Sequence, residues 1–168
     1  MVMNYRAGAE GDVEAVAKVN ISTWQTCFRG LIPQTFLDNM QIPPRAASFA
    51  RRFSKPGYGL IVAEDSQSGI VGFCDFGPPR DSKWSQNIEI YAIYVEPSFH
   101  RQGIGRDLFK LAAAEIVASG QHSLFVRVLA VNPFRDFYAK CGGRVIDSEI
   151  QIIEGESFEH LIYAWDDL

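Results

Sequence analysis

The stretch IEIYAIYVEPSFHRQGIGRDLFKLAAAEIVA, residues 88–118, decides the fold. Residues 88–96 are rich in β-branched and aromatic side chains and close on Pro97, which predicts a strand. Strict alternation along it places Glu89, Tyr91, Ile93 and Val95 on one face and Ile88, Ile90, Ala92 and Tyr94 on the other. The last third carries Ile104, Leu108, Leu111, Ala112 and Ile116 on one broad arc, which predicts a helix lying on a sheet, stopped by Gly120. Between strand and helix runs His100-Arg101-Gln102-Gly103-Ile104-Gly105-Arg106, a glycine-rich turn. The unpaired amides of a helix start point outward and carry about half a positive charge, so strand, turn and helix together make an anion site. Arg101 and Arg106 add charge beside it. A tight strand-to-helix connection would explain the glycines equally well, because Gly-x-Gly alone is a weak signal. Two other phosphate loops do not fit: no Gly-Lys-Ser/Thr follows, and Leu108 stands where a dinucleotide fingerprint needs its third glycine.

Working outward from this stretch, residues 2–7 predict a first strand, and Asp12 an N-cap for a helix through about Phe28. Val13, Val16, Ala17, Trp24, Cys27 and Phe28 share one face of that helix, with Asn20 the only polar member of the stripe. Pro33 can open a second helix, and Pro43-Pro44 are expected to separate it from a third over 45–53. Arg45, Arg51 and Arg52 on this third helix read as a solvated face. Residues 58–64 and 69–76 read as strands joined by a turn, and 80–87 as a polar loop holding Trp84. After the central helix come a strand at 123–130, a short helix at 134–141 closed by Gly142-Gly143, and a hairpin of 144–152 and 158–165 turning at 154–156. This order predicts a mixed α/β fold, mostly antiparallel, with one βαβ crossover through the glycine turn.

The chain has 168 residues, 47% hydrophobic and 21% charged, with a net charge of −4, and it reads as a single domain, 1–168. An acidic balance offers no basic footprint for nucleic acid. No apolar run approaches the roughly 20 residues a membrane span needs, and no leader pattern opens the chain. Cys27, Cys74 and Cys141 are too scattered for a disulfide framework or a metal site, so a reducing cytoplasm is expected, with no metal.

VEPSFHRQGIGRDLF, residues 95–109, resembles the acyl-coenzyme A loop of the GCN5-related N-acetyltransferases (GNAT), with its pattern Arg/Gln-x-x-Gly-x-Gly/Ala. The element order matches that family over nearly the whole chain, implying a central mixed sheet with helices on both faces. The first motif position is His100 rather than Arg or Gln, which moves the weight of phosphate binding onto backbone amides. The resemblance implies acetyl-CoA as cosubstrate, held by the backbone of Ile93, Tyr94 and Val95 and by Arg101, Gln102, Gly103, Ile104, Gly105 and Arg106. The family pattern Asn…Phe-Tyr-x-x-x-Gly matches Asn132, Phe137, Tyr138 and Gly142. Asn132 would then hold the pantetheine arm and Tyr138 would protonate the departing sulfur. That transfer, from a phenol of pKa about 10 to a thiolate near 8.5, is uphill by about 2 kcal/mol on reference values. Tyr138 could instead be an ordinary core tyrosine.

Glu89 is a candidate base, since an unpaired carboxylate inside an apolar strand is costly to bury. An ion pair with an arginine such as Arg127 is the alternative. A lysine-like amine is neutral in only about one molecule in 2,500 at pH 7, so the need for a base depends on the acceptor. Trp24, Phe28, Asp75 and Tyr91 are expected to line the acceptor pocket, with Trp84 beside them. The expected acceptor is a small primary amine, attacked directly in a ternary complex, and the chain could work as a homodimer. A peptide or protein amine and a non-catalytic acyl-CoA sensor are the alternatives. Arg127 stands where relatives acting on ribosomal-protein N-termini carry Glu, which argues against that subgroup.

Overall fold

The computed structural model describes residues 3–85 and 87–168. Val2 of the expected first strand and Gln86 of the expected polar loop lie outside them. Seven strands form one sheet: β1 (Met3–Ala7), β2 (Gly59–Asp65), β3 (Gly69–Gly77), β4 (Ile88–Val95), β5 (Leu124–Leu129), β6 (Arg144–Ile153) and β7 (Glu156–Trp165). Their spatial order is β1-β2-β3-β4-β5-β7-β6. Every neighbouring pair is antiparallel except β4 and β5. The parallel pair is the expected crossover. It is bridged by α4 (Ile104–Ala118), the helix that follows the glycine turn.

Both faces of the sheet are covered, which explains why β2 reads as a continuous apolar run rather than an alternation. Ile61 and Ala63 pack with Cys74, Ile90, Leu108, Ala112 and Ile116 under α4. Leu60 and Val62 face the other way, against Phe73 and the buried Val16, Ala17 and Val19 of α1 (Val13–Cys27) and Phe49 of α3 (Ile42–Phe53). A short α2 (Gln34–Asp38) lies between α1 and α3, and α5 (Asp136–Lys140) sits near the mouth of the β4–β5 opening.

The local rules account for most boundaries. Asp12 precedes α1, but its carboxylate turns back to accept from the Ala9 amide at 2.8 Å and to pair with Arg6. Glu154 and Gly155 make a two-residue hairpin turn with φ of 50° and 83°, so β6 and β7 both run further than the sequence suggests.

Three expectations are corrected. Pro43 and Pro44 do not separate two helices; they lie in the first turn of α3, where the absent N–H groups have no intrahelical acceptor to lose. The α3 arginines are not one solvated face. Arg51 is exposed, whereas Arg52 turns inward to pair with the fully buried Asp75 and Arg45 is half-buried. The alternation along β4 is broken as well. Asp75 pairs with Ala92 but Phe76 pairs with Ile90, so Tyr91 is an extra, bulged residue. Ile88 and Ile90 therefore share the α4 face with Ile93 and Val95, while Ala92 and Tyr94 face α1 and α3.

Candidate active site

The crossover creates the site. Pairing between β4 and β5 stops at Ile90 and Val126, and beyond it the two parallel strands part. A cleft of about 840 Å³ opens there, within the size range of ligand pockets. Ile93, Tyr94 and Val95 form one wall, with the outer edge of β4 left without a strand partner. The glycine turn and the start of α4 form the floor. Asn132, Phe134 and Tyr138, from the segment after β5, form the other wall.

The turn is shaped for an anion. Arg101 and Gly103 adopt left-handed backbone, with φ of 62° and 85°. This bends the chain so that, among the described residues, none of the amides from Arg101 to Arg106 donates to a backbone carbonyl, the first intrahelical bond being Asp107 N–H to Gly103 O at 3.1 Å. Successive free amides in such a bend make a concave anion nest, reinforced by the α4 dipole. A side chain at 103 would be strained by the backbone alone, whereas a Cβ at 105 would make ordinary contacts with the ring of Phe137 at 3.5 Å and with Val95 at 3.9 Å. Arg101, Gln102 and Arg106 are exposed at the rim.

His100 does not extend toward the cleft as a phosphate ligand. Its Nε2 donates to Val95 O at 2.8 Å, and its ring stands edge-on to Phe134 at 5.0 Å. The same carbonyl accepts from Thr23 Oγ1 at 3.3 Å, so the end of β4 is tied to both the glycine turn and α1. His100 thus fixes the path of the turn whose amides do the binding.

Tyr138 is nearly buried on α5, between Phe137 and Tyr163 at ring distances of 5.1 and 5.7 Å, and it lines the cleft. Burial pushes its phenol far above the usual tyrosine value, so it keeps its proton at every physiological pH. Asn132 accepts the Phe134 amide on Oδ1 at 2.8 Å, which spends its oxygen on the local turn and leaves its NH₂ as a donor.

Every residue expected to hold the cofactor, together with Tyr138 and Phe28, lines this one cleft. Glu89, Trp24, Asp75 and Tyr91 do not. Glu89 is fully buried on the other face of β4 and makes the arginine pair. Its Oε1 accepts from Arg127 Nη1 at 2.6 Å and Arg80 Nε at 2.9 Å, and its Oε2 accepts from the Arg80 amide at 2.9 Å. Arg127 also reaches Asp81 and Glu149, so the network crosses from β4 through β5 to β6. Asp75 accepts from Arg52 and from Tyr58 at 3.3 Å on one oxygen, while its buried Oδ1 has no partner among the described residues. Burial raises its carboxyl to about 6, opposed mainly by Arg52. Tyr91 stacks on Tyr58 at 6.4 Å and donates to Pro78 O. Trp24 packs behind Phe28 at 4.8 Å and meets Tyr94 edge-on at 6.4 Å. Trp84 covers Phe125 at 5.3 Å, away from the cleft.

Sequence reasoning missed Thr23, Cys27, Phe99 and Phe134 as lining residues. Thr23 and Cys27 are one helical turn apart on α1, and the stripe that placed Cys27 in the core gave no signal for Thr23. Among the described residues no cluster of His, Cys, Asp or Glu could hold a metal ion, and no helix is long and apolar enough to cross a membrane.

Comparison with known proteins agrees with this geometry. The acetyltransferase (GNAT) family model matches residues 22–143. A curated relative, the uncharacterized N-acetyltransferase YuaI of Bacillus subtilis (strain 168), is 32% identical over 158 residues, covering 94% of this chain and 89% of that protein. PaiA N-acetyltransferase of Thermoplasma acidophilum, solved with coenzyme A, shares the fold with a TM-score of 0.75 at 19% identity, over 96% of this chain and 98% of that one. YncA of Salmonella typhimurium, solved with acetyl-CoA, also gives a TM-score of 0.75, at 18% identity over 98% and 94%.

Proposed function

The chain belongs to the GNAT acetyltransferase family, and from that premise we propose that it transfers the acetyl group of acetyl-CoA to a primary amine of a small molecule, by direct attack in a ternary complex. The observation that carries the reading is the set of free amides from Arg101 to Arg106, which faces the same cleft as the proton-bearing Tyr138. Bound acetyl-CoA supplies an activated acyl group and a thiolate leaving group. The chain supplies placement and one proton.

The turn amides and the α4 start hold the pyrophosphate, with Arg101 and Arg106 as outer charges. The part of the β4 edge that lacks a strand partner, apart from the Val95 carbonyl taken by His100 and Thr23, and the Asn132 NH₂ hold the pantetheine amides, which take the place of the strand that β5 no longer provides. The acceptor amine attacks the thioester carbon and becomes an ammonium as the C–S bond breaks. Tyr138 gives its proton to the departing sulfur and is reprotonated by that ammonium, leaving the amide and the free thiol. The raised pKa of Tyr138 makes the transfer to sulfur more uphill than reference values suggest, so the step depends on concerted alignment. Phe28, Phe134 and Phe137 keep water from the thioester.

Glu89 serves here as the anchor of Arg80 and Arg127 beneath β4, because both of its oxygens are already engaged. The acceptor then reacts through its own neutral fraction. The logarithm of kcat/KM should rise with unit slope up to the acceptor's own pKa. A plateau set well below that pKa would return a base to the mechanism. The primary test is thiol release from acetyl-CoA across a panel of small amines and peptides. Turnover on small amines supports the reading; turnover only on peptides, or CoA binding with no turnover at all, overturns it.

A further inference from the structure

A second cavity, of about 390 Å³, lies between α2, α3 and the β6–β7 turn. Phe36, Met40 and Pro44 give it apolar walls, and Arg45, Ser48 and Glu154 give it polar ones. Arg45 is its notable member. Arg45, Phe49 and Arg52 are spaced four and three apart, so they share one stripe of α3, and Phe49 shows that the stripe faces the sheet, being buried edge-on against Phe73 at 5.4 Å. Arg52 finds the carboxylate of Asp75 there. Arg45, half-buried on the same stripe, has neither a salt bridge nor a side-chain hydrogen bond among the described residues. Burial, and more weakly the neighbouring Arg52, push its guanidinium below the usual value, against an effect of Tyr94 smaller than that of burial. A partly desolvated guanidinium without a counter-ion is costly, and its fork matches a carboxylate in two parallel hydrogen bonds.

The cavity adjoins the cleft across Trp24. That ring lies 5.8 Å from Phe36, which lines the cavity, and 4.8 and 6.4 Å from Phe28 and Tyr94, which line the cleft. We propose that the acceptor of this acetyltransferase is a primary amine carrying a carboxylate, which docks on Arg45 while the amine reaches over Trp24 into the cleft. This inference rests on the acetyltransferase reading. It adds what that reading lacks, a chemical class for the acceptor.

The test compares ω-amino acids long enough to pass Trp24, such as 6-aminohexanoate, with their carboxamides, which keep shape and a distal amine of nearly unchanged basicity but lose the anion. Binding is measured by calorimetry with CoA present, and turnover by thiol release. The wild type should prefer the carboxylate by about ten- to a hundredfold, the scale of one charge-assisted bidentate contact. Arg45→Met should bring that ratio close to one, Arg45→Lys should restore part of it, and CoA affinity read in parallel reports that each variant is folded. Glu154→Gln removes the acid of the same lining and should raise the preference; a fall would assign recognition to Glu154 and overturn the proposal. Turnover without carboxylate preference would sink this inference and leave the acetyltransferase standing. Carboxylate-selective binding without turnover would do the reverse, and absence of both would remove both.

Discussion

The two faces of β4 are built by different chemical means. Toward α4 and α5 the cleft is made of main chain: the amides of 101–106, the open strand edge and one asparagine whose oxygen is already used. Toward α1 and α3 the same strand meets side chains that are paired with one another, Glu89 with Arg80 and Arg127, and Asp75 with Arg52 and Tyr58. Main-chain recognition suits a cosubstrate of fixed shape, because it is set by backbone dihedrals and changes little when side chains vary. Side-chain recognition suits a variable acceptor. Damage should fall accordingly: side-chain changes on the α1 and α3 face should cost stability, and changes at the turn should cost cofactor affinity alone.

The largest stability effect is expected at Arg127. Arg127→Met leaves the buried Glu89 with Arg80 only, half exposed, and strips Asp81 and Glu149 of a partner. Breaking a buried pair in this way should destabilise the fold by about 3 kcal/mol, read by urea unfolding. A loss below about 1 kcal/mol would mean that the α1 and α3 face is not held by its charge network. Next comes Tyr138→Phe, which keeps the packing but removes the proton. Turnover should fall about a hundredfold with CoA affinity within about twofold, and undiminished turnover would take Tyr138 out of the chemistry.

Asp75 gives a smaller, pH-dependent effect. Its folded pKa of about 6 lies above the usual carboxylate range, so between about pH 4 and 6 the folded state holds more protons than the unfolded one. Its contribution to stability is therefore greatest below pH 4 and is lost as the pH rises through 6. The wild type's stability relative to Asp75→Asn should fall across that window; a difference that stays flat or rises would show that Arg52 fully compensates the buried charge. The smallest effect is expected at His100. Restoring the family residue with His100→Arg should change CoA affinity by no more than about threefold, since the imidazole acts through Val95 O rather than through phosphate. A tenfold gain in binding would show that a side chain can add what the amides lack.

The same division explains what the sequence disclosed. The cleft was legible because backbone geometry leaves marks in sequence: Gly103 where φ is 85°, Pro97 closing a strand, and Asn132 and Tyr138 at a fixed spacing. The opposite face of β4 was not, because its residues come together from α1, α3, β3 and β4 over long separations. The bulge at Tyr91 has no signature within a run of β-formers, yet it reverses which face Ile93 and Tyr94 take. Arg45 and Arg52 looked like a solvent face because three arginines on a short helix usually are one. Only the position of α3 over Asp75 shows otherwise. Pro43-Pro44 misled for a local reason, since prolines that stop one helix also fit the first turn of the next.

The central claim is that main-chain amides, and not the arginines beside them, hold the cofactor. Calorimetric Kd values for CoA on Gly103→Val, Arg101→Met and Arg106→Met test it most directly. The geometry predicts a loss of more than about a hundredfold for Gly103→Val, whose backbone at φ of 85° a β-branched residue cannot adopt without strain, and of no more than about fivefold for either arginine variant. Near-normal affinity in Gly103→Val, or its collapse when one arginine is removed, would contradict it.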